Sequence, residues 1–527
     1  MADNRTTTNP IARDDAYQIV CPYCFNLASG GDGTPFSHTE VEFRAETAYA
    51  NVREMEQKLG FSQIEIDMAA TQAERDAKAR QYEMNKRFLL GKDKKYETFW
   101  AAYKGTTEQN ERSGRGPTPW ELPIVSLGQG IKNLVADMDG FVSHAVDEFG
   151  KITHRRVCPH CHNPLPLGYG KNKVRYISII GITGAGKTIY ISQLLRGMAD
   201  YAAKVGLSAY FTAEHVTHFI ENNKVKFGER LPDATTSDRL SQPMFYDLVR
   251  TVNNVQQTDT IVLYDIAGEN CRNPEDMLKF SSFVKHSDGL ILLIDPKQLG
   301  FLSDMLNPDE QDDTDKPERA LNTLHSVLET QLIKKSNIPI AVCVSKSDMC
   351  VDILPPMSQE AVQSASPDYT GLPKQEFDGK TFNALSEGIT KLMIRNAATV
   401  CQNLQTGFQN FNFFAVSAVG CKCVKNEMGF STPAARPDPK RIEEPILWLF
   451  KQFGYIKTNT KVNRPFKIKQ ADKYILKKPF LLGKARLEKE PEEFAVYEED
   501  RVRDIALVKR RKNGGWEPLT DDDASLL

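Results

Sequence analysis

The 527-residue chain has no apolar run that approaches the roughly 20 residues needed to cross a bilayer. Its first residues, MADNRTTTNPIARDD, lack the apolar core of a signal peptide. We therefore expect a cytoplasmic protein that makes no membrane contact. The formal net charge of −2 argues against nucleic acid or an anionic membrane as a partner of the whole surface. Any such partner would need a local basic patch.

Cysteine is also scarce. Ten cysteines in 527 residues are too few for a disulfide framework. Four of them form two Cys-Pro-x-Cys pairs, Cys21 with Cys24 and Cys158 with Cys161. Two such pairs can supply the four thiolates of a closed, structural zinc site. The spacer of 133 residues between the pairs is long, and a helical insertion would have to fill it.

Other interpretations of these pairs stay open. His154, His160 and His162 stand close to the second pair and could replace a cysteine ligand. Each pair could also be a separate thiol pair, or CPHC could be a thioredoxin-type redox motif. That motif favours a strand–helix context, whereas CPHC follows a basic strand and precedes the proline-broken HNPLPLGYG. The context favours shared zinc.

The composition changes along the chain in a way that predicts four regions. We expect a disordered N-terminus at 1–16, a zinc-ribbon module at 17–172 with a helical insertion at 40–112, an α/β domain at 173–456, and a charged extension at 457–527. The apolar segments of the α/β region are YISIIG, TIVLYDIAG, GLILLID, IPIAVCVSK and FNFFAVSA. Such strands with helical spacers predict a mostly parallel sheet with helices on both faces.

A phosphate-binding loop is indicated between the first of these strands and the following helix. Residues 181–188, GITGAGKT, match G-x-x-x-x-G-K-[ST] in full. Glycines let backbone N–H groups turn towards phosphates, Lys187 would reach the β- and γ-phosphates, and the Thr188 hydroxyl would bind Mg²⁺. The predicted contact residues are Gly181, Gly184, Ala185, Gly186, Lys187, Thr188 and Ile189.

Two further motifs complete a nucleotide site. Asp265 ends a strand and precedes Gly268 by three residues, which is typical of an aspartate that contacts Mg²⁺ and an amide that senses the γ-phosphate. Ser345, Lys346 and Asp348 resemble the [NT]-K-x-D element, whose carboxylate accepts hydrogen bonds from guanine N1–H and the 2-amino group. Adenine lacks both donors, so this carboxylate would discriminate against it.

The backbone of Ser417 and Ala418 resembles the element that contacts guanine O6. With this fourth motif, residues 173–456 resemble a P-loop GTPase of the Ras-like, translation-factor-related class. The zinc ribbon ahead of it is similar to arrangements in (double-)GTPases of bacterial conflict systems. The resemblance implies GTP and GDP as ligands, Mg²⁺ as cofactor, GTP hydrolysis as the activity, and a role in antiphage defence.

The remaining family residues match less closely. The switch threonine, a further Mg²⁺ ligand, would be Thr235, favoured over Thr236. Glu269 stands where such GTPases usually carry the glutamine that orients water. It could act as a base, or hydrolysis could stay slow until a partner supplies charge. Arg230 and Arg239 flank the proposed switch threonine and could stabilise transition-state charge in cis, although a solvated loop arginine is the simpler interpretation of each.

We therefore expect a slow GTPase that works as a partner-dependent switch, with Lys187, Glu269 and Thr235 as its catalytic residues. An ATPase on the same loop is one alternative. Another is a scaffold that binds GTP without hydrolysing it, while the zinc ribbon and basic tail bind a protein or nucleic acid. The tail interleaves lysines with aromatics, but an acidic stretch follows it, so nucleic acid is not favoured.

Overall fold

The protein is described by a computed structural model. The described residues are 10–27, 32–60, 62–102, 121–125, 133–147, 150–181, 184–212, 214–232, 242–252, 254–271, 274–280, 282–298, 320, 322–323, 326, 337–353, 376–377, 379–458, 467–477, 486–497, 508–510 and 516–518.

Helices occupy both the N-terminal and the central parts of the described chain. They are Val52–Leu59 (α1), Gln63–Asp67 (α2), Gln72–Lys86 (α3), Lys94–Ala101 (α4), Lys187–Lys204 (α5), Glu214–Asn222 (α6), Pro274–Phe280 (α7), Gly379–Asn396 (α8), Ala398–Gly407 (α9) and Glu444–Gln452 (α10). Short 3₁₀ helices include Gly268–Cys271 and Ser347–Ile353.

Strands occur throughout the described chain. They are Gln18–Ile19 (β1), Phe36–Ser37 (β2), Glu42–Arg44 (β3), Leu134–Ala136 (β4), Val142–Val146 (β5), Ile152–Thr153 (β6), Arg155–Val157 (β7), Lys173–Gly181 (β8), Ser208–Phe211 (β9), Met244–Val252 (β10), Val255–Ile266 (β11), Gly289–Ile294 (β12), Ile340–Val344 (β13), Glu376–Phe377 (β14), Phe411–Ala415 (β15), Cys423–Lys425 (β16), Ser431–Pro433 (β17), Lys457–Thr458 (β18), Lys467–Lys477 (β19), Arg486–Tyr497 (β20), Val508–Arg510 (β21) and Trp516–Pro518 (β22).

The first of two compact units comprises residues 1–176, 210–217 and 238–264. It contains small antiparallel sheets, β1–β2, β3–β7 and β4–β5–β6, together with the long antiparallel hairpin β10–β11. Helices α1 to α4 fall inside the stretch predicted to be a helical insertion. Met55 of α1, Ile66 of α2 and Tyr82 of α3 form a buried apolar cluster, so these three helices share a core of their own.

The second unit comprises residues 177–209, 218–237 and 265–527. Its strands lie in the order β15-β13-β12-β8, and all three neighbouring pairs are parallel. Every residue of β12, β13 and β15 is buried. Strands buried on both faces need continuous apolar sequence, which explains why the runs were readable. The predicted α/β class with a mostly parallel sheet is confirmed.

The carboxyl ends of these parallel strands lie at one edge of the sheet, where ligands of open α/β sheets bind. β8 leads into the phosphate loop, β12 into Asp295, β13 into Ser345, and β15 towards Ser417. The described helices include none that is long and apolar enough to cross a membrane. The predicted boundaries of the four regions stay predictions.

Candidate nucleotide and metal sites

The phosphate loop joins the end of β8 to the start of α5. Gly184 has φ 85° and Gly186 has φ 75°, a left-handed backbone that favours glycine. At Gly181 an added Cβ would lie 3.1 Å from the Cβ of Lys187, so the tight approach of strand and helix also favours glycine. Helix α5 begins at Lys187. Ile182 and Thr183 lie outside the described residues.

The structure brings Lys187 and Asp265 together. The ammonium nitrogen lies 2.5 Å from a carboxylate oxygen, and the two side chains are 7% and 4% exposed. Strand β11 carries Asp265, and α5 carries Lys187 and the half-buried Thr188. Hydroxyl and carboxylate oxygens are hard donors that suit Mg²⁺, so Thr188 and Asp265 fit the ion chemically.

A 3₁₀ helix, Gly268–Cys271, begins three residues after Asp265. Its first residue is the glycine predicted to sense the γ-phosphate. The side chain of Glu269 lies outside the described residues, as do Thr235 and Thr236. Their predicted roles stay predictions.

Two predicted base-reading elements also meet. The Ser417 hydroxyl donates to the Asp348 carboxylate across 2.6 Å, and the Gly420 amide donates to the Ser417 hydroxyl across 3.0 Å. Ser417 is buried, whereas Asp348 is exposed. The carbonyl of Ala418 accepts a 3.3 Å hydrogen bond from the Gln193 amide of α5. The loop after β15 is thus attached both to the loop after β13 and to the helix of the phosphate loop.

The loop after β13 has a second support. Ser345 replaces the usual Asn or Thr, and its amide and hydroxyl both donate to the Ile294 carbonyl, across 2.9 and 3.1 Å. Lys346 has φ 47°, and its ammonium lies 2.5 Å from an oxygen of Asp295. Sequence reasoning missed Asp295. Its signal was the final aspartate of GLILLID, which looked like an ordinary strand end.

Arg230 stands apart from these groups. Its guanidinium carbon lies 4.0 Å from the ring centroid of Phe430, in the hairpin formed by β16 and β17. The neighbouring Leu231 amide donates to the Ser431 carbonyl across 3.0 Å. The described contacts of Arg230 therefore fit an arginine packed on a surface loop better than one aimed at a phosphate.

The four cysteines of the two Cys-Pro-x-Cys pairs form one buried group in the first unit. All four sulfur atoms lie within 4.8 Å of one another. Cys21 and Cys161 sulfurs are 3.7 Å apart, and those of Cys24 and Cys158 are 3.8 Å apart. Sulfurs about 2.3 Å from a tetrahedral zinc lie about 3.8 Å from one another. The distances therefore fit one shared ion.

Both pairs sit on turns with the same geometry. The Tyr23 amide donates to the Cys21 sulfur and the His160 amide to the Cys158 sulfur, each across 3.4 Å. Such N–H donors stabilise thiolate charge. Asn163, which sequence reasoning missed, donates from its amide nitrogen to the Cys161 sulfur across 3.2 Å. Its oxygen accepts a 3.0 Å hydrogen bond from Trp100.

The four thiols lie close enough to shift one another's pKa values. Burial raises the pKa of the Cys21 and Cys161 thiols well above the ordinary value, while hydrogen bonds from Cys158 and the other thiols lower the pKa of Cys24. Four adjacent thiolates repel one another, so a divalent ion is needed for all four to be deprotonated.

The histidines near the second pair have other partners. His162 Nδ1 lies 2.7 Å from Asp93 and its Nε2 lies 2.6 Å from Glu42. Burial alone would lower the pKa of His162, but the hydrogen bonds to Asp93 and Glu42 raise it. The rings of His154 and His160 pack against His144 and Phe36. Among the described residues, the four cysteines are the one group of three or more His, Cys, Asp or Glu side chains placed to share a metal ion.

Comparison with known proteins agrees with the nucleotide motifs. Residues 175–402 match the model of the family described as Double-GTPase 2. A curated relative is the "Putative ESX-1 scaffolding and assembly protein SaeC" of Mycolicibacterium smegmatis, 22% identical over 324 residues, which cover 57% of this chain and 80% of that protein.

A crystal structure of a GTP-binding protein from the archaeon Sulfolobus solfataricus, in complex with GDP, is 15% identical with a TM-score of 0.20. The match covers 53% of each chain, so the protein spans about half the length of that structure. At that score the likeness carries no structural argument. The family-model match contains the phosphate loop, Asp265 and the Ser345–Asp348 loop, and this part of the chain is similar to Double-GTPase 2 domains.

Proposed function

We propose that the protein binds GTP with Mg²⁺ and hydrolyses it to GDP and phosphate as a partner-dependent switch. The observation that carries this proposal is the hydrogen bond between Ser417 and Asp348, because it joins two loops that sequence predicts to read guanine. The family-model match over residues 175–402 supports it independently.

In this proposal the phosphate loop holds the triphosphate through its backbone amides and through Lys187. The ammonium of Lys187, which contacts Asp265 in the structure, turns towards the β- and γ-phosphates. Thr188 and Asp265, with Thr235 from the switch segment, would hold Mg²⁺, and the ion would supply positive charge beside the transferring phosphoryl group. The Gly268 amide reports whether the γ-phosphate is present.

The attacking water would be oriented by Glu269. A carboxylate beside a triphosphate is repelled, so we propose slow intrinsic hydrolysis that a protein activator accelerates. The proposal of slow hydrolysis therefore depends on the negative charge of the Glu269 carboxylate. Replacing Glu269 with Gln should raise the single-turnover rate if repulsion dominates. It should lower the rate if the carboxylate acts as a base.

Guanine preference is tested by competition. A fluorescent GTP analogue bound with Mg²⁺ is displaced by unlabelled GTP or by ATP. We expect GTP to compete at least a hundredfold better, a difference of about 2.7 kcal/mol. Equal competition by ATP would refute guanine recognition and leave an ATPase.

For the four cysteines we propose one structural Zn²⁺ per chain, held by Cys21, Cys24, Cys158 and Cys161. The sulfur distances and the amide donors support a closed tetrahedral site. Metal analysis of the purified protein tests the stoichiometry.

A second candidate is a scaffold that binds GTP without turnover, favoured by the similarity to a protein named for scaffolding and assembly. Tight GTP binding with no phosphate release under single-turnover conditions would support it.

We extend the switch proposal to antiphage defence on the resemblance alone. Phage plating on cells that carry the intact gene or its Lys187→Ala variant tests that extension.

A further inference from the structure

We infer that Asp295 is a positioning residue for guanine recognition, because it anchors the lysine of the base-reading loop. The inference rests on the proposed GTP binding. Asp295 directly follows β12, the strand that pairs with β13, and the loop after β13 carries Ser345, Lys346 and Asp348.

The Asp295 carboxylate is held in place from two sides. One oxygen accepts the Lys297 backbone amide across 2.9 Å, and the other lies 2.5 Å from the ammonium of Lys346. The Asp295 side chain is 6% exposed, whereas that of Lys346 is 38% exposed. The acidic partner is therefore fixed and buried, and the lysine reaches down to it from the surface loop.

The backbone around Lys346 is constrained as well. Its φ of 47° is uncommon for a residue with a side chain. The Ser345 amide and hydroxyl bind the carbonyl of Ile294, the residue before Asp295, and the Ser347 amide binds the Val416 carbonyl across 3.1 Å. The side chain of Lys346 is therefore anchored at both ends, by the loop backbone and by Asp295.

We infer that the anchored methylene stem offers an apolar surface on the loop that also carries Asp348. In the bound state the purine would lie along this stem while its edge meets the Asp348 carboxylate. Without Asp295, the ammonium would be free to move to solvent, and the stem would lose its fixed position. Binding would then have to include the cost of ordering it.

The test is a double-mutant cycle on nucleotide affinity. Asp295→Asn and Lys346→Met each remove the ion pair and keep the side-chain shape, and the third protein carries both substitutions. Each single variant should bind the fluorescent GTP analogue about tenfold more weakly, within the usual coupling between contacting side chains. The double variant should bind no more weakly than the weaker single variant, and the loss in Asp295→Asn should appear in GTP affinity rather than in kcat.

Glu387→Gln is the matched control, because it removes the acid of an exposed ion pair with Lys391 in the same unit. It should leave affinity and kcat unchanged. Independent losses in the cycle, about a hundredfold in total, would overturn the positioning role. So would unchanged affinity in both single variants, or a fall in kcat without a change in affinity.

Competition by ATP distinguishes failure of the proposed GTP binding from failure of the role of Asp295. If the unaltered protein does not prefer GTP over ATP, the proposed function and the role of Asp295 both fail. If it prefers GTP and the cycle is additive, only the role of Asp295 fails. Should Asp295→Asn not yield folded protein, Lys346→Met alone decides, since unchanged GTP affinity in that variant overturns the inference.

Discussion

At the scale of single residues, the proposed nucleotide site contains one ion pair that is buried on both sides. Lys187 and Asp265 are both nearly inaccessible to solvent, and each compensates the charge of the other. Removing water from two ions is costly, so a buried pair contributes little net stability, whereas breaking it by removing one partner costs about 3–5 kcal/mol. The pair is therefore suited to exchange partners when a triphosphate and a divalent ion supply equivalent charges.

Replacing Lys187 with Ala should abolish GTP binding or turnover, because no other predicted group neutralises the β- and γ-phosphates from that position. It should also destabilise the fold by about 3 kcal/mol, since the Asp265 carboxylate stays buried without this cation. Titration with the fluorescent GTP analogue and thermal unfolding measure the two effects. Lys391→Ala, at an exposed pair, is the control. Saturable turnover retained in Lys187→Ala would refute the site.

A second residue-scale prediction concerns Asn163, which donates to the Cys161 sulfur and accepts from Trp100. Asn163→Ala should weaken metal retention about 10–100-fold, the usual effect of losing a hydrogen bond to a ligand atom. The rate of metal transfer to a chromogenic chelator measures this. Asn403→Ala, at an exposed amide pair, should not change the rate. Equal rates in both variants would show that the donor to the sulfur is unimportant.

At the scale of elements, the motifs that sequence revealed are those carried on one short stretch of chain. The phosphate loop was readable because a strand, a glycine loop and a helix follow one another directly. Asp295 and Asn163 could not be identified in this way, because the partner of each is distant in sequence. Asp295 pairs with Lys346, 51 positions away, and Asn163 pairs with Trp100, 63 positions away. Strand β10 was also missed, since it pairs antiparallel with β11 and its polar end weakens the apolar pattern.

The two Cys-Pro-x-Cys turns should act as one element. Cys158→Ser should release about one metal ion per chain, because three thiolates cannot complete a closed four-ligand site. Chelator absorbance before and after denaturation measures bound metal. Cys423→Ser is the matched control, since that half-exposed thiol lies outside the four-cysteine group. Absence of metal from the unaltered protein as well would rule out the proposed zinc.

At the scale of the whole molecule, composition and strand pattern were enough to predict an α/β protein with a parallel sheet. They were not enough to predict that the chain divides into units that each take several separate segments. Hairpin β10–β11 falls within the predicted P-loop region, yet most of it belongs to the first unit. Composition changes mark boundaries along a chain, and they carry no information on which segments pack together.

Ligand binding should appear in the unfolding of the whole protein. GTP with Mg²⁺ at 100 times its dissociation constant should stabilise the folded state by about 2.7 kcal/mol. For 527 residues that unfold together, that corresponds to an increase of about 2–3 °C in the unfolding temperature. Differential scanning fluorimetry measures the shift for the unaltered protein with GTP and with ATP at equal concentration. The same measurement with GTP is made on the Lys187→Ala variant. Equal shifts with both nucleotides would contradict guanine recognition, and an equal shift in the variant would place binding elsewhere.

The long separation of the two cysteine pairs means that the second pair is synthesised well after the first. Ribosomes add about 5–20 residues per second, so roughly 7 to 27 s pass between the synthesis of Cys24 and that of Cys158. During this interval the first pair exists as two ordinary thiols on a nascent chain, open to oxidants and to competing metals. The N-terminal unit can close around its cysteines only after the second pair has emerged.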